Sequence, residues 1–184
     1  MSDKVQITII INSRPFSINQ YYYYPVLKTE IHAYNAKRKA RIYGKPVRSA
    51  DARNWARSVF TELNKSGNKA QLKKFRDSFD PKLHTIGIKL ACYYENFTTK
   101  AGIISSKTND CSNVEKPIID LLFDEKYYGR SCPEGCENLN INDKFITELI
   151  SSKHQSDEND YVVITIYTKN LPSCTKGLPC QVKK

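Results

Sequence analysis

The β-branched runs of this chain constrain its fold more than any other feature. Val5-Gln6-Ile7-Thr8-Ile9-Ile10-Ile11, ended by Asn12, Ser13, Arg14 and Pro15, reads as a strand entering a loop. His84 to Tyr94 reads as a second strand, and Ile103-Ile104 ends a connection placed to pair with it. Lys144 to Ser151 and Tyr161 to Thr168 are two more, the last with clean period-two alternation, and the acidic turn of Asp157, Glu158 and Asp160 separates them.

Between these runs the period changes. Ala52, Trp55, Ala56, Val59, Phe60 and Leu63 recur at helical spacing after Ser49 or Asp51 as a cap, which predicts a helix ending near Asn64 to Gly67. Ala70 to Phe79 adds a basic turn of helix before Asp80-Pro81. A further helix opens at Asn113 as cap, with Glu115 in its first turn, Pro117 early, and Ile118, Ile119, Leu121, Leu122 and Phe123 as its apolar face.

The order of elements predicts an α+β fold, a single domain with helices on one face of a mixed sheet. Its 184 residues, 40% of them apolar, suffice for one core without disulfide staples. The domain is expected over 1–169, with an inserted loop at 124–140 and a tail over 170–184. No run of about 18 apolar residues offers a membrane span. The start lacks the basic residues and small-residue cleavage site of a signal peptide, so a cytoplasmic protein with reduced thiols is the expectation.

Lys and Arg number 29 against 19 Asp and Glu, a surplus of +10 that points to a polyanionic partner, with nucleic acid first. The surplus concentrates between Lys28 and Arg57. There Lys28, Lys37, Arg38, Lys39 and Arg41 follow the tyrosine run Tyr21 to Tyr24, and cations interleaved with aromatics suit phosphate contact and base stacking. Packing of alternate tyrosines on the sheet, and a solvated face or localisation signal for the basic stretch, are the other readings.

An acidic constellation follows in Asp110-Cys111-Ser112-Asn113-Val114-Glu115-Lys116-Pro117-Ile118-Ile119-Asp120, with Asp143 opening the next strand. Carboxylates at a helix start and a neighbouring strand start can converge on Mg²⁺ or Mn²⁺. Such an ion activates water against a phosphodiester, and a nearby Lys offsets the charge that develops on the phosphate. Taken from spacing alone, a helix-terminal charge and a surface pair of Lys116 with Asp120 explain the same residues.

In this region the chain resembles the RusA family of Holliday junction resolvases. The family motif Asp-x-Asp-Asn-x-x-Lys-x-x-x-Asp is matched by Asp110, Asn113, Lys116 and Asp120. Its later Asp-Asp pair before a Glu-Leu strand corresponds to Asn142-Asp143 before Glu148-Leu149, and its Pro-x-Ser-x-Asn-x-Tyr loop to Pro15, Ser17, Asn19 and Tyr21. The resemblance implies a homodimeric, Mg²⁺-dependent endonuclease, of a phage or mobile element, that resolves four-way DNA junctions. Asp110 and Asp143 would be metal ligands, with Lys116 and Asp120 in the catalytic set, and Glu115, from its place on the helix, is the further candidate ligand to compensate for a missing carboxylate. Asn19, Tyr21, Tyr22 and Asn113 would contact DNA. Ser112 and Asn142 stand where the family carries carboxylates, so a degenerate DNA-binding or structural protein without nuclease activity is the alternative.

Six cysteines remain. Cys132, Cys136, Cys174 and Cys180 form two pairs in loops whose four thiolates could close a structural zinc site, free thiols being the other reading. Cys92, on a strand, reads as a small core residue.

Overall fold

The computed structural model describes residues 4–23, 26–31, 39–43, 47–123 and 138–171, with side chains over 4–20, 49–123 and 138–171. The zinc candidates Cys132, Cys136, Cys174 and Cys180, and the basic residues Lys37 and Arg38, lie outside the described residues.

Four strands form the central sheet: β1 (Gln6–Ile11), β6 (His84–Tyr94), β7 (Ile146–Gln155) and β8 (Tyr161–Asn170), in the order β1-β8-β6-β7. β8 runs antiparallel to both neighbours, while β6 and β7 are parallel, so the sheet is mixed as expected. The register sets Ile9 opposite Ile164 and Ile88 opposite Ile166, which puts the buried isoleucines of three strands on one face.

Three helices cover that face: α2 (Ala50–Leu63), α3 (Ser66–Ser78) and α4 (Cys111–Phe123). Ser49 caps α2 through its hydroxyl, which accepts the Ala52 N–H at 3.0 Å. The helical-period residues from Ala52 to Leu63 are all buried. Leu72 and Phe75 of α3 join the same core, as do Val114, Ile118, Leu121 and Leu122 of α4. α3 is longer than its sequence signals and starts at Ser66, where the Asn68 amide donates to the Glu62 carbonyl at 2.9 Å and ties the first turn to the end of α2.

Three local expectations are corrected. α4 begins at Cys111 rather than being capped by Asn113, and the Asn113 N–H donates to the Asp110 carbonyl at 3.0 Å. Pro117 therefore stands well inside the helix and removes the N–H that would bond the Asn113 carbonyl. Ile103 and Ile104 do not pair with β6; Ile104 makes an isolated bridge to Thr98, and both isoleucines are exposed. Residues 143–145 form a 3-10 turn, so β7 starts at Ile146.

The segment read as a tyrosine-rich loop and basic stretch contains short regular elements. α1 (Ile18–Tyr21) is one helical turn, β2 (Tyr22–Tyr23) pairs with β5 (Val47–Arg48), and β3 (Val26–Ile31) pairs antiparallel with β4 (Lys39–Tyr43). Among the described residues no helix is long and apolar enough to cross a membrane.

Candidate functional site

The start of α4 is where the sequence motifs meet. Asp110 immediately precedes the helix, and its carboxylate is exposed. Lys153 of β7 brings its ammonium to 3.9 Å from it. One turn on, Glu115 accepts a hydrogen bond from the Ser151 hydroxyl at 2.5 Å. Ser151 and Lys153 follow Leu149 at alternate positions of β7 on the helix-facing side of the sheet, so the period of the strand presents both to α4.

The first motif loop joins the same place from the other end of the chain. Asn109, next to Asp110, donates its amide to the Pro15 carbonyl at 2.6 Å. Arg14 ties the loop to two further segments, donating to the Lys107 carbonyl at 2.5 Å and pairing with Asp160 at 3.4 Å. Phe16 stacks on Trp55 with ring centroids 5.4 Å apart, and the Trp55 indole N–H donates to the Arg14 carbonyl. A cavity of about 550 Å³ opens here, with Arg14, Phe16, Trp55, Lys107 and Asn109 in its wall. Asn19 is exposed on α1, beside this loop.

The remaining candidates are placed elsewhere. Lys116 pairs with Asp120 at 3.0 Å along α4, which satisfies both by the local helix pair. Asn142 accepts the Lys144 N–H at 3.0 Å and caps the 3-10 turn, an employment that needs no metal. Asp143 is exposed in that turn, whose neighbour Phe145 packs edge-on against Phe79 at 5.5 Å. Phe79 also faces His84 at the start of β6.

Asp110 and Asp143 therefore lie at opposite ends of the β6–β7 pair. Lys153, beside Asp110, is opposite Cys92 near the end of β6, whereas Ile146, just after Asp143, is opposite Ile86 near its beginning. Seven residues of strand between Ile146 and Lys153 amount to roughly 20 Å, too far for two side chains to share one ion. The expected convergence of Asp110, Glu115 and Asp143 on Mg²⁺ is not met within one chain. Among the described residues no group of three or more His, Cys, Asp or Glu side chains is placed to hold a metal.

Of the expected DNA contacts, Asn113 is half-buried in the first turn of α4. Tyr21 ends α1 and Tyr22 begins β2. Lys28 lies on β3, and Lys39 and Arg41 on β4, in a ribbon whose register sets Arg41 opposite Thr29 and Lys39 opposite Ile31. Beyond that ribbon, Arg57 of α2, which ends the basic stretch, and Lys73 and Lys74 of α3, in the basic turn expected over 70–79, are exposed. Lys153 and Ser151 are site residues that the sequence reading does not single out. Their signal was the alternation of β7, which puts a cation on the face that otherwise reads as core. Cys92 is buried as expected, and burial pushes its thiol up to about 12.

Compared with models of known protein families and with curated proteins, the chain matches none.

Proposed function

We propose that this chain is a DNA-binding protein on a RusA-like α+β scaffold, one whose described residues do not bring Asp110 and Asp143 to a common ion. The observation that carries the reading is the surplus of +10. Half of it falls on two described elements, the β3–β4 ribbon (Lys28, Lys39 and Arg41 against Glu30) and α3 (Lys69, Lys73, Lys74 and Arg76 against Asp77), while the loop of Pro15 to Tyr21 and the acidic motif at Asp110 occupy a separate place. Phosphate contact by Lys and Arg supplies sequence-independent affinity, and a distorted or branched DNA offers more phosphates to a broad basic surface than a straight duplex does.

Cleavage of four-way junctions is the second reading, favoured by the exposed Asp110 carboxylate with Lys153 beside it. Because Asp143 stands roughly 20 Å away in the same chain, a site that joins it to Asp110 takes one of the two from a second copy.

The experiment is fluorescence anisotropy of the full chain with a synthetic four-way junction, a duplex and a single strand at several salt concentrations. Binding to the junction that weakens steeply with salt supports the reading. No salt-sensitive binding to any of the three overturns it. Symmetric nicks with Mg²⁺ or Mn²⁺, abolished by a chelator and by Asp110→Asn, would establish the second reading instead.

A further inference from the structure

Where the loop after β1 meets the turn before α4, a small chamber adjoins the cavity of about 550 Å³ that Phe16 and Trp55 bound. The chamber measures about 120 Å³ and is lined by Arg14, Tyr94, Asn96, Lys107, Thr108 and Asp160. Arg14 and Lys107 belong to both walls and join the two spaces into one cleft. Hydrogen bonds fix these walls. The Thr108 hydroxyl donates to the Ser105 carbonyl at 2.9 Å, and the Ser105 hydroxyl accepts the Lys107 N–H at 3.2 Å, which closes a tight turn. Asp160 accepts the Glu95 N–H at 2.8 Å and pairs with the Arg14 Nε at 3.4 Å. Arg14 and Lys107 against Asp160 leave one positive charge around the chamber, and the carboxylate is already committed to two donors.

Tyr94 gives the chamber its second feature. It ends β6 on the helix-facing side, its side chain is 2% exposed, and among the described residues its hydroxyl is the buried side-chain polar atom left without a hydrogen bond. Buried polar groups are almost always partnered, so an orphan beside a polar chamber points to what enters that chamber. Burial pushes the phenol well above its usual range, against the opposing pull of the Asn109 backbone and Arg14. At neutral pH the group therefore keeps its proton and offers a donor. A deep donor beside two cations selects an acceptor with negative charge. At about 30 Å³ for one water, the chamber has room for a single oxyanion. A phosphate monoester suits it better than a carboxylate, because its three free oxygens can meet Tyr94, Arg14 and Lys107 together. The outer cavity falls in the roughly 300–1,000 Å³ range of ligand pockets and sets the half-buried Phe16 ring beside the polar groups of Gln20, Asp51 and Asn109. A flat ring with polar edges is the partner for such a wall.

We infer that this cleft binds a nucleoside monophosphate, its phosphate in the chamber at Tyr94, Arg14 and Lys107 and its base in the outer cavity along Phe16. The monophosphate comes from a free nucleotide or from the 5′ end of a nucleic-acid strand. The inference does not rest on DNA binding by the β3–β4 ribbon and α3, whose cations take no part in the cleft.

Isothermal titration calorimetry of the full chain with deoxyadenosine 5′-monophosphate, deoxyadenosine and inorganic phosphate tests it. Saturable 1:1 binding of the monophosphate is expected, with the other two weaker by about tenfold or more, and Lys107→Ala and Tyr94→Phe should each weaken it by about tenfold. Tyr94→Phe also separates a ligand role from a structural one. Because the hydroxyl bonds nothing in the free protein, the variant should melt no lower than the wild type alone and should lose the rise in Tm that the nucleotide gives. A 5′-phosphorylated short strand compared with its 5′-hydroxyl twin identifies the source: a phosphorylated strand bound more tightly than the nucleotide supports a strand end, and the reverse order supports a free nucleotide. The Lys73→Ala, Lys74→Ala chain is expected to bind the nucleotide as the wild type does, which keeps this site distinct from the DNA surface. No binding of the monophosphate in the millimolar range overturns the proposal. So does equal affinity for deoxyadenosine or for inorganic phosphate, or a Tyr94→Phe chain that melts lower yet binds the nucleotide unchanged.

Discussion

The ring of Tyr167 lies over Gly87, its direct neighbour across β6 and β8, so closely that a Cβ at position 87 would sit 2.4 Å from the ring. The glycine is there for the space it leaves. Its absent side chain lets the tyrosine fold down onto the sheet, where the hydroxyl donates to Glu148 at 2.5 Å and Lys169 completes the cluster.

Gly87→Ala is accordingly expected to destabilise the protein by about 1–3 kcal/mol, the cost of overpacking a filled site. In a Tyr167→Ala background the same substitution should cost clearly less, because the clash is with that ring. Urea unfolding of the four members of the double-mutant cycle measures the coupling, and equal costs in both backgrounds would refute the account.

The same cluster sets a pH dependence. Burial, with the Glu148 carboxylate it bonds, pushes the Tyr167 hydroxyl up to about 12, against 10 in the unfolded chain. A raised pKa means that the folded state holds its proton more tightly. The contribution is thus complete below pH 10 and lost as pH rises from about 10 to about 12. Tyr167→Phe should flatten the alkaline fall in melting temperature over that window.

On the acid side, the Tyr167 hydroxyl and then Lys169 hold Glu148 below the usual carboxylate range. Its contribution is present above that range and disappears as pH falls through the lowered value. Glu148→Gln is expected to reduce the slope of stability against pH on the acid limb. An unchanged acid limb would show that the bond is not maintained in solution.

Separation of Asp110 and Asp143 has its own consequence. If each acts alone, the effects of Asp110→Asn and Asp143→Asn on junction affinity add to within about 0.5 kcal/mol. Titration of the single and double variants checks this, and a larger coupling would mean that a second copy brings the two carboxylates together.

Lys73 and Lys74 of α3 test the basic helix as a DNA surface. Each substitution by Ala that removes a phosphate contact should lower the slope of log affinity against log salt by about 1 and weaken all DNA forms alike. A slope that stays constant in the double variant would confine DNA to the β3–β4 ribbon.

Much of the fold was legible because its signals are local. The hydroxyl of Ser49 and the helical spacing from Ala52 to Leu63 located α2 almost to the residue. The β-branched period located β1, β6 and β8, since capping and alternation act over a few neighbouring residues. The α3 extension and the capping role of Asn142 escaped, because each depends on neighbours that the local pattern does not name.

By itself, then, the sequence determined the four strands of the central sheet and the helices on it, which of their faces are apolar, and that the chain carries a basic surplus, but not α1 or the short strands β2 to β5. Only the tertiary structure decided what meets what. β1 finds its partner in β8, from the far end of the chain, and the loop of Pro15 comes to rest against Asn109. The acidic motif was decided in the same way. Because β6 and β7 are parallel, α4 between them must run back against both, so its first residues lie where the strands end and its last where they begin. Asp110 at the helix start is thereby carried to Lys153, and Asp143 at the strand start to the opposite end of the sheet.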